Sequence, residues 1–159
     1  MDIPVTTAIR ALRAAKADFE ACVYDYVEHG GTRHSSECLG VDEHHTIKTI
    51  VMETDAKKPF IVLMHGDREI STKQMARELG VKSVAPCTPD TANRHTGYRV
   101  GGTSPFGTRK PLPVYAESTI FDLPQLYING GRRGLLVKIT PEVLDHVARP
   151  TRVSVAIPE

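Results

Sequence analysis

The chain has 159 residues, of which 40% are hydrophobic and 25% charged, the size and balance of one folded domain with its own core. Lys plus Arg total 20 against 19 Asp plus Glu, a net charge of +1, which excludes the broad basic excess of a general nucleic-acid binder and leaves any such contact to local clusters. No segment approaches the roughly 18 apolar residues of a membrane span. The opening MDIPVTTAIRALRAAK lacks the apolar run of a signal peptide. Cys22, Cys38 and Cys87 are three and widely spaced, so they make neither a CxxC pair nor an even disulfide framework. Unpaired thiols and a reducing, cytoplasmic setting are the expectation.

Residues 4–17 begin as a helix, capped by Thr6 or Thr7, with Ile9, Leu12 and Arg13 at helical spacing. FEACVYDYV (19–27) alternates as a strand does. A loop with Gly30 and Gly31 follows over 29–33, and residues 35–39 form a short helix closed by Gly40. HTIKTIVMET (45–54) is a second strand, with Lys48 interrupting its apolar run. After a turn at 57–59, FIVLMHG is a third strand ending at Gly66. Ser71 caps a helix that runs through Leu79 to Gly80, and 81–85 is a short strand. Residues 86–113 are rich in Gly, Pro and Thr and read as one long irregular segment, which inside a compact domain is usually functional. Residues 114–120, 126–131 and 134–139 are late strands, and Thr140-Pro141-Glu142 opens a last helix with Pro in its first turn. Strands and helices mix without strict βαβ alternation. The expected class is therefore α+β, or a mixed α/β sheet flanked by helices and partly barrel-like.

The familiar reaction signatures are missing. The seven histidines form neither HExxH nor a zinc spacing, and there is no GxSxG elbow, Walker A loop or Rossmann fingerprint. No metal and no cofactor are expected. Three features carry chemistry, each with a structural alternative. Lys48, among Ile47, Ile50 and Val51, is either an outward-facing strand residue with its stem along the sheet, or an anion or carbonyl anchor in a partly desolvated cleft. The loop Gly101-Gly102-Thr103-Ser104-Pro105 is either a tight surface turn or a nest of main-chain N–H groups able to polarise an ester carbonyl. Asn129-Gly130-Gly131-Arg132-Arg133-Gly134 is either a hairpin turn with solvated arginines or a phosphate contact, with Arg109 and Lys110 adding local positive charge.

TIKT (46–49), TGYRVGGTSPFGTRK (96–110) and YINGGRRGLLV (127–137) stand in the order and spacing of YbaK/EbsC proteins, and the opening helix followed by a strand with Tyr24-Asp25 matches as well. The chain resembles that family over nearly its whole length. The resemblance implies a single domain over 1–159, with a central mixed, partly barrel-like sheet similar to the editing domain of prolyl-tRNA synthetase. It implies an enzyme, an aminoacyl-tRNA deacylase that edits mischarged tRNA in trans at its 3′ end, with prolyl-tRNA synthetase as partner. Lys48 matches the family lysine, Gly101 to Pro105 the GxxxP loop, and Tyr24 a site tyrosine. The catalytic set implied is Lys48, Gly101, Gly102 and Tyr24. Thr49, Thr103, Ser104, Pro105, Gly130, Gly131 and Arg132 would bind substrate.

The block is most similar to the cysteinyl-tRNA-specific branch, which implies removal of cysteine from Cys-tRNA(Pro) by attack of the substrate's own thiol, leaving a thiolactone. Alternatives are water-mediated deacylation of alanyl-, seryl- or threonyl-tRNA(Pro), or a non-catalytic tRNA- or nucleotide-binding accessory of a synthetase. The chain departs from relatives at Leu136, where some carry Asp or Ser, at Asn129, where some carry Ser, and in a shortened interval at 29–33.

Overall fold

A computed structural model describes residues 3–157; residues 1–2 and 158–159, the ends of the expected domain span, lie outside the described residues. Helix α1 (Thr7–Ala14) is capped by Thr6, whose hydroxyl accepts the Ile9 N–H at 3.0 Å, and it buries Ala8, Ile9 and Leu12. Strand β1 (Glu20–Val23) is shorter than the expected 19–27. Tyr24 still donates its N–H to the Gly134 carbonyl at 2.9 Å, and the chain then leaves the sheet. Helix α2 (Gly31–Leu39) starts four residues earlier than the sequence indicates. Gly30 donates to the Val27 carbonyl at 2.9 Å, and that tight turn feeds the helix directly.

Strands β2 (Thr46–Thr54) and β3 (Pro59–His65), helix α3 (Thr72–Leu79) and strand β4 (Val84–Pro86) follow. The 86–113 stretch is not wholly irregular. Helix α4 (Pro89–Thr96) lies within it, capped by Thr88 and with Pro89 in the first turn. Then come β5 (Val114–Glu117), a 3-10 helix at Ser118–Asp122 where the strand was expected to continue, β6 (Leu126–Arg132), β7 (Leu135–Ile139) and α5 (Pro141–Ala148). A final strand β8 (Thr151–Val153), too short and too exposed to show in the sequence pattern, pairs in parallel with β5.

The strands form one mixed sheet in the order β1-β7-β6-β2-β3-β5-β8, with β4 paired to β2 off that path. This agrees with the expected mixed α/β class. Both faces of the sheet centre are covered. Ile61 and Leu63 of β3 belong to one hydrophobic cluster with Ile9, Leu12, Ile128 and Leu144, whereas Phe60, Val62 and Met64 belong to the other with Met52 and Met75. Burial on both faces is why FIVLM reads as an unbroken apolar run rather than an alternating one.

Candidate functional site

Strand β2 changes partners along one edge. It pairs in parallel with β6 only at Thr46 and Ile47, and antiparallel with β4 only at Met52, Glu53 and Thr54. β6 leaves because its register breaks between Asn129 and Arg132, a bulge of the kind that re-aims chains beside active sites. Residues 48–51 are thereby left without a strand neighbour on that edge, and a cleft of about 510 Å³ opens there, a volume suited to a small-molecule-sized group. On the β3 side, Thr46 O accepts from Gly66 N and Thr54 N donates to Lys58 O; on the open side, Val51 O accepts from Cys87 N at 2.9 Å. Strand alternation puts the main-chain groups of Thr49 on the open side too.

The cleft gathers Lys48, Thr49, Tyr24, Gly101 and Thr103 from the expected residues. Lys48 shares its strand face with Ile50 and Met52, yet its ammonium reaches the Arg68 carbonyl at 2.5 Å and lies 3.5 Å from a Glu69 carboxylate oxygen. An ammonium has three donors, so this anchoring leaves capacity for a substrate oxygen. Thr49, on the other face, buries its hydroxyl oxygen, and among the described residues it is the buried side-chain polar atom with no hydrogen-bond partner. A buried unsatisfied hydroxyl costs about 1–3 kcal/mol, so an incoming polar group is favoured there. Tyr24 sits just past β1 with its ring edge against His34, centroids 6.0 Å apart. Burial pushes its phenol pKa above the usual value, which keeps it a neutral donor.

Gly101 has φ +90°, and a Cβ there would lie 2.6 Å from the Tyr26 hydroxyl oxygen, so only glycine fits. Its N–H makes no hydrogen bond among the described residues, whereas the Gly102 N–H donates to the Arg99 carbonyl at 2.8 Å. Gly102 is therefore not the free donor that its sequence indicates. It is a close-approach glycine, where a Cβ would meet Arg133 N at 2.9 Å.

Five other expected residues are not brought to the cleft wall. The Ser104 hydroxyl is fully buried and accepts from Phe106 N, and Pro105 lines a separate groove with Ala11 and Val147. Gly130 packs on Leu135 and accepts from the Thr6 hydroxyl at 2.5 Å; Gly131 (φ +95°) sits under Ala8 and Tyr98. Both serve the β6 bulge. Arg132 is exposed, and its neighbour Arg133 lines the cleft instead.

Sequence reading named the turn with both arginines but singled out Arg132 rather than Arg133, missed Cys87 as a cleft residue, and did not foresee the bond that makes Asn129 one. Arg133 donates through Nε to the Val100 carbonyl at 2.9 Å, its guanidinium 4.9 Å above the Tyr26 ring. Asn129 donates to the Gly101 carbonyl and accepts from Gly131 N, both at 2.8 Å. Cys87 has a thiol pKa pushed up to about 11 by burial and then by the Glu53 carboxylate, so it is protonated at neutral pH and a poor nucleophile. Cys38 lies 3.4 Å from His34 Nε2, but it is exposed on α2 outside the cleft, and that nitrogen is also 2.7 Å from the Asp25 carbonyl. Among the described residues no cluster of three or more His, Cys, Asp or Glu is placed to hold a metal, and no helix is long and apolar enough to cross a membrane.

The family model of the aminoacyl-tRNA editing domain matches residues 31–146. The chain belongs to the aminoacyl-tRNA editing domain family. This editing domain is 26% identical over 140 residues to the Enterococcus faecalis protein named "Putative Cys-tRNA(Pro)/Cys-tRNA(Cys) deacylase EbsC", covering 87% of this chain and 85% of that one. It is 27% identical over 92 residues to a proline--tRNA ligase of Brachyspira hyodysenteriae, spanning 58% of this chain and only 16% of the ligase. The fold is that of a solved structure described as "a putative trans-editing enzyme for prolyl tRNA synthetase", with TM-score 0.86, 19% identity, and coverage of 98% of this chain and 100% of that one. The YbaK/EbsC resemblance read in the sequence is thus borne out, and with it the reading of the editing domain as an aminoacyl-tRNA deacylase.

Proposed function

We propose that this protein removes cysteine from Cys-tRNA(Pro) in trans, with the substrate supplying the nucleophile. The observation that carries this reading is a cleft with an ammonium, a main-chain N–H without a partner and, among the described residues, no activated nucleophile, the thiol of Cys87 being held protonated. In the reaction, the sulfur of the esterified cysteine attacks its own ester carbonyl carbon. The C–O3′ bond breaks, the thiol proton passes to the ribose O3′, and a four-membered thiolactone leaves for hydrolysis in water. The protein's share is geometry and charge. Lys48 anchors the 3′-terminal phosphate, ribose or carbonyl, and the buried Thr49 hydroxyl takes a polar group of the aminoacyl-adenosine. Tyr24 donates a hydrogen bond at the pocket wall. The Gly101 N–H stabilises the developing oxyanion, a contribution worth about 10²–10³ in rate for one well-aimed donor. Holding the thiol in a near-attack shape supplies much of the rest.

Net charge of +1 gives little intrinsic hold on tRNA. Selection of tRNA(Pro) then falls to prolyl-tRNA synthetase as a partner, in keeping with similarity to part of a proline--tRNA ligase. The test is to compare Cys-tRNA(Pro) with its S-methylcysteinyl counterpart. The first is cleared and the second resists, because the methylated sulfur cannot cyclise. Equal clearance of both assigns the attack to water.

A further inference from the structure

We propose that Arg133 is a positioning residue that aims the Gly101 N–H, the oxyanion donor of the reading above, on which this inference rests. Val100 and Gly101 line the cleft, and neighbours hold the peptide on each side of Gly101. The 101–102 peptide is fixed at each end, its carbonyl by Asn129 Nδ2 at 2.8 Å and its N–H by the Arg99 carbonyl at 2.8 Å. In the 100–101 peptide the carbonyl takes the Arg133 Nε–H at 2.9 Å, and the opposite end, the Gly101 N–H, is left without a partner among the described residues. Among the described residues no peptide bond is cis, so the Gly101 N–H runs antiparallel to the Val100 carbonyl. Arg133 therefore sets the direction of a donor it does not touch. Its own direction is set by Tyr26, over whose ring the guanidinium lies at 4.9 Å. The Tyr26 hydroxyl in turn closes on Gly101, where a Cβ would meet it at 2.6 Å. Gly101 at φ +90° has no side chain to restrain it, and without these contacts the peptide is free to rotate.

A competing role for a half-buried arginine in this cleft is direct contact with a tRNA phosphate, and the two roles separate by chemistry. In Gln, Nε2 is bonded to Cδ as Nε is in Arg, so Arg133→Gln keeps an N–H at the atom that holds the Val100 carbonyl and removes the charge. Arg133→Met keeps the stem and removes the donor. Steady-state deacylation of Cys-tRNA(Pro), or of whichever mischarged tRNA(Pro) the wild type clears, is measured for both with thermal midpoints alongside. The positioning role predicts that Arg133→Met loses about tenfold or more in kcat with KM nearly unchanged, and that Arg133→Gln returns to within about threefold of wild type. If both variants instead raise KM with kcat retained, Arg133 is a phosphate contact and the proposal falls. It falls equally if Arg133→Met keeps wild-type kcat, or if both variants lose kcat alike. A wild type that clears no aminoacyl-tRNA overturns the deacylase reading itself, whatever the variants do.

Discussion

The Lys48 ammonium donates to the main-chain carbonyl of Arg68 at 2.5 Å, with the Glu69 carboxylate at 3.5 Å. A strand residue that looked like an interruption in an apolar run is thus pinned by the loop after β3 and held at the open edge of β2. Its side chain keeps only 21% exposure, so replacing it removes charge from the cleft together with some packing of its stem along the sheet. Lys48→Ala is expected to cut deacylation by roughly 100-fold, with the fold retained by circular dichroism and the thermal midpoint lowered modestly by the lost stem packing. A folded Lys48→Ala that deacylates at the wild-type rate places the substrate anchor elsewhere.

Thr49 gives a prediction of opposite sign for stability and function. Its buried hydroxyl is unsatisfied in the free protein. Thr49→Val keeps the branched shape and removes the orphan, so stability is expected to hold or to rise by up to about 1 kcal/mol. Substrate affinity is expected to fall, seen as a KM raised several-fold with kcat less affected. A lowered thermal midpoint together with unchanged KM would show that the hydroxyl serves the fold.

Cys87 separates substrate-assisted from enzyme-nucleophile chemistry. With its pKa raised to about 11, the thiol is protonated at pH 7, so Cys87→Ser is expected to keep activity within about threefold. Iodoacetamide should label Cys87 slowly at pH 7 and faster as pH rises toward 11. Abolished turnover in Cys87→Ser, with the protein folded, makes Cys87 a participant and removes the case for a substrate nucleophile.

How legible this was depended on how local the signal is. Helix starts were legible because a capping hydroxyl sits three residues from the amide it binds: Ser71 was read as a cap and Thr140-Pro141 as a helix opening, while at α1 the structure chooses Thr6 of the two threonines left open. Thr88-Pro89 carried the same signal for α4, obscured by the Gly, Pro and Thr around it. Lys48 and Gly101 were visible as chemistry-bearing residues. That they share one site was implied by the family resemblance alone; the residues by themselves could not show it, because the cleft exists only where β2 changes partners between β6 and β4, a consequence of long-range pairing and the β6 bulge. The commitment of the Gly102 N–H to Arg99 and the hold of Arg133 on Val100 depend on loop conformation. No spacing rule reports either.

His65 predicts an acid limb in stability. Its ring is buried, stacks on His44 at 3.8 Å, lies 2.7 Å from the His44 carbonyl, and contacts the Thr119 hydroxyl. Burial first, with the neighbouring His44 adding, pushes its pKa below the ordinary 6.5, against the upward pull of the His44 carbonyl and the Asp67 and Glu117 carboxylates. The folded protein then binds fewer protons at this site than the unfolded chain once pH drops below 6.5, so stability is full above that pH and declines as pH falls. Urea midpoints between pH 7.5 and 5 should show the decline, and His65→Gln should flatten it. An unchanged slope in that variant assigns the acid limb to other groups.

The central claim is cysteine removal. The direct measurement is the rate at which the wild-type protein clears Cys-, Ala-, Ser- and Thr-tRNA(Pro), prepared separately and incubated under one condition with the released product identified. The account predicts rapid loss of cysteine through a thiolactone, with the other three esters near their spontaneous rates. Rapid clearance of alanine, serine or threonine with cysteine left on the tRNA would contradict it.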